Sequence, residues 1–329
     1  MTAGPVLLAT SHGTSDPAGQ RAVLALVDAV AAAAPQLTVR GGYVDVQSPD
    51  APSCLRALAA GSAPVESAPA ESSATESAPA ESASADSAST DSAPAESAPA
   101  ESAPAESAPT KSAASQSALT ESAAAESVAA ALARPVVIVP LLLSAGYHVR
   151  VDLAEAADGA AQPVRVTGAL GPDLRLARIL AARLREIGLR PDDTVVLAAA
   201  GSTDTAAVAD CHAMAGRLAA VLGRPVTVGF ISAAEPRLAD AVLTARAGAS
   251  ARVGASGRVV VATYLLAPGY FAGLAERCGA DAVSRPLLVD GEAPPADLVD
   301  VVIDRYSAIA RLELALAGLP WSFSPGRTD

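Results

Sequence analysis

Histidine, lysine, cysteine and aromatic residues are all scarce in this 329-residue chain, and each scarcity narrows what it does. The three cysteines, Cys54, Cys211 and Cys278, are odd in number, far apart and in no Cys-x-x-Cys pair. A disulfide framework or a cysteine-rich zinc or iron–sulfur site is therefore not expected. Lys111 is the only lysine, and arginine supplies the remaining basic charge. Aromatics make up 3% of the chain, so its 51% hydrophobic content is mostly aliphatic, with alanine prominent. No apolar run approaches the ~18 residues of a membrane span. Met1–Leu8 has no basic region ahead of its short apolar stretch and does not read as a targeting segment. A soluble, cytoplasmic protein without a membrane partner is expected.

Acidic charge is in excess but unevenly spread. The net charge is −12, yet residues 62–130 hold eleven acidic residues against Lys111, leaving 24 acidic and 22 basic residues elsewhere. The remainder is nearly neutral and has no basic stripe, which argues against nucleic acid as a ligand. Within 62–130 a pentad close to Ala-Glu-Ser-Ala-Pro recurs, with an acidic residue at every fifth position from Glu66 to Glu106. That period fits neither a helix nor a strand. Pro64, Pro69, Pro79, Pro94, Pro99, Pro104 and Pro109 would each break a helix. Almost no large apolar side chain offsets the entropy of ordering, so the segment is expected to be disordered. Its end, from Ala118 to Ala133, lacks proline and suits a helix. An interaction tether and a tolerated expanded repeat both fit this composition. In place of a four-residue loop, such an insertion costs only about 2–3 kcal/mol of closure entropy, which a stable domain carries.

With the insertion set aside, short apolar runs alternate with alanine- and leucine-rich helical stretches. Pro5–Thr10, Leu37–Val44, Pro135–Leu142 and Pro163–Thr167 read as strands in the first half. Thr194–Ala199, Pro225–Phe230, Arg258–Tyr264 and Ala282–Leu288 read as strands in the second. Arg21–Ala33, Leu174–Ile187, Thr205–Leu222 and Ala296–Leu314 read as helices. This alternation predicts an α/β fold of parallel sheets flanked by helices. The halves also resemble each other: Ser11–Asp16 (SHGTSD) aligns on Ala199–Asp204 (AAGSTD), and Pro140–His148 (PLLLSAGYH) on Thr263–Phe271 (TYLLAPGYF). Two similar lobes follow, residues 1–190 with the 62–130 insertion and residues 191–329. Ligands of such sheets bind beyond the carboxyl ends of the strands. The insertion joins a helix to the next strand, so it should emerge at the opposite end.

Of three histidines, His12 follows the first strand and precedes Gly13, while His148 follows the third strand two residues after Gly146. A neutral imidazole offers a lone pair to a metal. Either histidine alone reads equally well as a hydrogen-bonded loop residue; two at equivalent strand ends of one lobe favour a joint function. His212 flanks the apolar stripe of a helix (Val208, Cys211, Ala215, Leu218, Leu222) and is read as a surface residue. Asp45, ending the second strand in GGYVDVQSPD, would accept protons or hold a cation. It also suits a plain turn or helix-start aspartate, since Ser48, Pro49 and Asp50 look like a helix start. In the second copy His12 aligns with Ala200, His148 with Phe271 and Asp45 with Ser232. One site per chain is therefore expected, on the first lobe.

These residues resemble those of the sirohydrochlorin chelatases, the cobalt- and iron-inserting enzymes related to ferrochelatase. The resemblance lies in Ser11-His12-Gly13-Thr14, in the Pro-Leu-Leu-Leu-x-x-Gly-x-His-x-x-x-Asp pattern from Pro140 through His148 to Asp152, and in Ser232–Leu238 (SAAEPRL). Where that family usually has a glutamate at the end of its second strand, this chain has Asp45. The resemblance implies two chelatase-like lobes around a tetrapyrrole cleft. It further implies His12 and His148 as metal-holding and catalytic residues, with Asp45 relaying protons. Two imidazoles without thiolates suit Fe²⁺, Co²⁺ or Ni²⁺ as a substrate metal, with no cofactor permanently bound. Gly13, Thr14 and Ser15, opening the first helix, would bind substrate carboxylates, with Arg150 as a further partner. Two other readings stand beside it: a metal or tetrapyrrole carrier without turnover, and a scaffold acting through its acidic repeat. An internal repeat also lets one chain take the place of a dimer.

Overall fold

The computed structural model describes residues 4–61, 134–144, 146–253 and 257–316, and within them not the side chains of 147–150, 251–253, 314 and 316. The segment expected to be disordered and the helix expected over 118–133 lie outside the described residues. Contacts divide the chain into two units. One, residues 1–66 and 129–329, holds everything described below; the other is residues 67–128.

Two sheets of four parallel strands carry the fold. The first contains β1 (Val6–Ser11), β2 (Val39–Tyr43), β3 (Val136–Pro140) and β4 (Val164–Val166), in the order β2-β1-β3-β4. The second contains β5 (Thr194–Ala199), β6 (Val226–Phe230), β7 (Val259–Tyr264) and β8 (Ala282–Val283), in the matching order β6-β5-β7-β8. The expected final strand, Ala282–Leu288, is cut to two residues because the chain leaves the sheet after the Ser284 N–H bonds the Val261 carbonyl.

Between the strands run α1 (Pro17–Ala33), α2 (Ala51–Ala59), α3 (Tyr147–Asp158), α4 (Leu174–Glu186), α5 (Thr205–Leu222), α6 (Leu238–Val253), α7 (Tyr270–Glu276) and α8 (Ala296–Leu316). The first of these starts at Pro17 rather than at Arg21. The Asp16 carboxylate accepts from the Ala18 and Gly19 amides, and Pro17 gives up no hydrogen bond at the first helical position.

Strands buried on both faces explain why their sequences are nearly continuous apolar runs. On β1, Leu7 and Ala9 join one large core while Val6 and Leu8 join another. The large core lies between the two sheets and contains side chains of α1, α4, α5 and α8. Smaller cores cover the outer faces, under α2 and α3 on the first sheet and under α6 and α7 on the second.

The connectivity within the large core crosses the boundary between halves. Helix α4 follows the first sheet in sequence but packs on β7 and α5; α8 follows the second sheet but packs on β3 and α1. Tyr306 of α8 is fully buried, and its hydroxyl donates to the Pro5 carbonyl at 2.7 Å. Its burial pushes the phenol up to about 12. Each lobe thus completes the other's sheet.

Flanking the insertion, Gly61 comes just after α2, and Arg134, just before β3, donates to the Gly4 carbonyl and to Thr38 Oγ1. Both flanks are at the amino ends of the strands, away from the ends where ligands of open sheets bind.

Candidate functional site

His12 is the first residue past β1, and its imidazole is exposed. Pairing of β1 with β2 continues beyond the strands: Val44 N–H donates to Ser11 O at 2.8 Å, and Asp45 N–H donates to His12 O at 3.1 Å. Asp45 is therefore fixed beside His12 by backbone bonds. Its side chain is exposed, and Oδ1 accepts from the next residue's N–H, that of Val46, at 2.7 Å. Helix α2 is capped by Asp50, not by Asp45: Asp50 Oδ1 accepts from Ser53 N–H at 2.8 Å. The Ser53 hydroxyl and then its amide hold the Asp50 carboxyl below its usual range.

The close approach of the two turns depends on Gly13, which has φ of 93°. A Cβ there would fall 2.2 Å from the Asp45 carbonyl oxygen. The residues after it are tied down further. Thr14 N–H donates to Gln47 Oε1 at 2.9 Å, Thr14 O accepts from Gln20 Nε2 at 2.8 Å, and Thr14 Oγ1 accepts from Asp16 N–H at 3.1 Å. The amides at the head of α1 are thus already engaged by Thr14 and Asp16 within the turn itself. Ser15 is exposed.

His148 is the second residue of α3, in the first turn of a helix capped by Gly146 rather than in a loop. Strand β3 is the direct neighbour of β1, with Thr10 paired to Pro140, and Leu141 N–H donates to Thr10 O at 2.7 Å. The two histidines therefore belong to the carboxyl ends of adjacent strands. Arg150 lies two residues further along α3. The side chains of His148 and Arg150 lie outside the described residues. Among the described residues, no group of three or more histidine, cysteine or carboxylate side chains gathers as a metal site. His212 is exposed on α5, its ring edge-on to Phe230 at 5.9 Å.

The second lobe meets these turns crosswise. A Cβ on Gly19 would fall 2.4 Å from the Pro268 carbonyl, and one on Gly146 would fall 3.3 Å from Ser202 Oγ. The loop leading to His148 is held from the same side. Buried Tyr264 donates its hydroxyl to Leu143 O at 3.0 Å, and buried Cys211 stands beside Ser144. Burial pushes both Tyr264 and Cys211 up, so each stays neutral at physiological pH. Val46, Tyr270 and Phe271 leave exposed apolar surface on the carboxyl-end turns, with the two aromatic rings edge-to-face at 5.9 Å.

Sequence reasoning missed Gln20, Gln47, Cys211 and Tyr264 as supports. Gln47 stands two residues beyond Asp45, but nothing in the sequence reveals that it reaches Thr14.

In the second copy the backbone matches while the polar groups do not. Ser232 N–H donates to Ala200 O at 2.9 Å, and Gly201 has φ of 94°. The residues three places before α5 and α1 use their hydroxyls alike, Ser202 Oγ accepting from Asp204 N–H at 3.0 Å.

The CbiX family model matches residues 6–65, 105–187 and 194–273. No curated protein matches the chain. Among solved structures, SirB from Bacillus subtilis with Fe³⁺ is similar at a TM-score of 0.58 and 14% identity, over 95% of this chain and 98% of that one. CbiX, described as the terminal enzyme for biosynthesis of siroheme in denitrifying bacteria, is similar at a TM-score of 0.50 and 17% identity, over 92% and 98% of the two chains. At these identities the likeness shows a shared fold. The family match extends over both sheets and most of the chain, and on that ground the chain belongs to the CbiX family.

Proposed function

We propose that the protein is a tetrapyrrole metal chelatase, inserting Fe²⁺ or Co²⁺ into a sirohydrochlorin-type ring in sirohaem or cobalamin biosynthesis. The observation that carries this reading is the site's assembly in a CbiX-family chain. His12 and Asp45 are bonded through their backbones at one strand end, and His148 starts the helix after the adjacent strand.

Insertion needs a metal delivered to the ring and two pyrrole protons removed. His12 and His148 hold the metal, which is a substrate, and leave its other positions open for the ring nitrogens. A histidine freed as the metal passes to the ring accepts one proton, and Asp45 relays protons to solvent. Arg150 and the Gly13–Ser15 turn face the acidic side chains of the substrate. Because the Thr14 amide is given to Gln47, Arg150 and the Ser15 hydroxyl carry most of that contact. The enzyme works in the cytoplasm as a single chain, its second lobe standing in for a second subunit.

One observation favours a metal or tetrapyrrole carrier as a second reading. Asp45, shorter than the glutamate usual in the sirohydrochlorin chelatases, turns its carboxylate back on its own loop.

Anaerobic absorbance of sirohydrochlorin with Fe²⁺ or Co²⁺, with and without the protein, separates the two. Accelerated metallation that is lost in folded His12→Ala supports the chelatase. A shifted tetrapyrrole spectrum without acceleration supports the carrier. Unchanged turnover in His12→Ala overturns the mechanism.

A further inference from the structure

The turn that follows His12 is held by more than its fold requires, and the second copy shows how much the fold requires. In both copies the glycine takes the same left-handed conformation, 93° at Gly13 and 94° at Gly201. Both use a second left-handed residue three positions beyond the paired strand, Val46 at 63° and Ala233 at 56°. The backbone bond joining the two turns is also shared, Asp45 to His12 and Ser232 to Ala200.

What the second copy lacks is the pair of glutamines. Gln47 aligns with Ala234 and Gln20 with Val208, whose side chains carry neither donor nor acceptor. The turn therefore reaches its conformation without them. In the first copy they grip one residue from both sides, Gln47 accepting from the Thr14 N–H and Gln20 donating to the Thr14 carbonyl. The grip occurs in the copy that carries His12 and Asp45 and is missing from the copy that carries Ala200 and Ser232.

We infer that Gln20 and Gln47 are positioning residues for His12, restraining a turn that is already folded so that the imidazole keeps its bearing toward the metal. The inference rests on the proposed chelatase site. Geometry of this kind acts on turnover, because a reacting group must be held within fractions of an ångström of its productive position. It acts less on tetrapyrrole binding, where Arg150 and the Ser15 hydroxyl, not the Thr14 amide, carry most of the contact. Gln47 is one of the two anchors, and it bonds through its carbonyl oxygen alone, so a glutamate at this position keeps the acceptor.

The test is a cycle of four full-length proteins: wild type, Gln47→Met, His12→Ala and the double variant, assayed for Co²⁺ insertion into sirohydrochlorin. Gln47→Met is expected to lower kcat by about tenfold, roughly what one lost hydrogen bond amounts to, with little change in the KM for tetrapyrrole. Gln47→Glu restores most of the loss. In the His12→Ala background, which has lost insertion and is read by Co²⁺ affinity, the same substitution has no further effect, which a general structural role would not produce. Equal loss with and without His12, or wild-type turnover in Gln47→Met, overturns the inference. If Gln47→Met does not fold, Gln20→Leu removes the other half of the grip and is read in the same cycle. If the wild type turns over no tetrapyrrole, the proposed function fails by itself. Co²⁺ affinity across the four proteins then decides the grip: coupling between Gln47 and His12 supports it, and additivity overturns it.

Discussion

Alanine at Gly13 and alanine at Gly201 form a matched pair, because the two glycines do the same structural work in the two lobes. Each has φ near 93°, a region costly to any residue with a Cβ. Each would drive that Cβ into a backbone carbonyl, that of Asp45 at 2.2 Å or of Ser232 at 1.7 Å. The left-handed conformation costs about 1–2 kcal/mol. Relief of the overlap needs about 1 Å of backbone movement and adds a similar amount, for a total of about 2–4 kcal/mol. For a protein of this size that lowers the thermal midpoint by roughly 4–8 °C in both variants. Activity should separate them. Moving the His12 turn by about 1 Å from the Asp45 turn is expected to lower kcat/KM for metal insertion by about 10²-fold. The Gly201→Ala protein, equally destabilised, should keep most of its turnover at a temperature where both are folded. Thermal unfolding monitored by circular dichroism, with anaerobic insertion kinetics, measures both. Wild-type turnover in Gly13→Ala would refute the placing of the site on this turn. Equal loss in Gly201→Ala would refute its confinement to the first copy.

Two further outcomes follow from the same structure. Tyr264→Phe removes the buried hydroxyl that donates to Leu143 O and should cost about 1–2 kcal/mol; loosening of the loop before His148 should lower kcat more than it raises KM, and loss of stability with unchanged kcat would show that this loop does not serve the site. Asp173 caps α4 and pairs with Arg175 and Arg305. Burial pushes its carboxyl up, but the hydrogen bonds and positive charges of these arginines outweigh that and hold it below its ordinary value of 3.8. The sign follows: its stabilisation is complete above about pH 4 and fades as pH falls through the lowered value. Asp173→Ala should therefore cost about 2–3 kcal/mol near neutrality and less in acid, checked by urea unfolding from pH 7 to pH 2. A gap that stays constant over that range would count against the ion pair.

The duplicated α/β order, the position of His12 after β1 and the empty second copy were legible in the sequence because each depends on local spacing. Apolar runs of strand length gave the strands. The alignment of His12 with Ala200 and Asp45 with Ser232 is matched bond for bond in the backbone. What escaped was long-range. The apolar stripe of α4 says that the helix is buried, but not that it leaves its own sheet for β7; the same holds for α8 and β3. The Asp16-Pro17 start of α1 was available as a cap followed by a proline, and the apolar periodicity beginning at Arg21 concealed it. Gln47 was hidden for a different reason. A polar residue in a turn has many plausible partners, and only the folded chain brings Thr14 to it.

The exchange of α4 and α8 also explains why a lobe with no counterpart of His12, Asp45 or His148 persists. A lobe that had lost its site and made only surface contact with its neighbour would be free to drift or be lost. Here α8 fills the inner face of the first sheet, with Tyr306 buried and bonded to Pro5, while α4 from the first half fills the second. Each sheet's own helix, α1 or α5, covers only part of its inner face, and without α8 the side of β3 that carries Val137 and Val139 would stand open to water. The second lobe's contribution to the site has the same character. Tyr264 and Cys211 hold the loop before His148, and Pro268 closes against the head of α1. The second copy has Ala200, Ser232 and Phe271 where the first has His12, Asp45 and His148, and it keeps these supports. On the proposed function, a single asymmetric site is then a stable arrangement for a duplicated fold: one copy carries the reacting groups, and the other holds them in place.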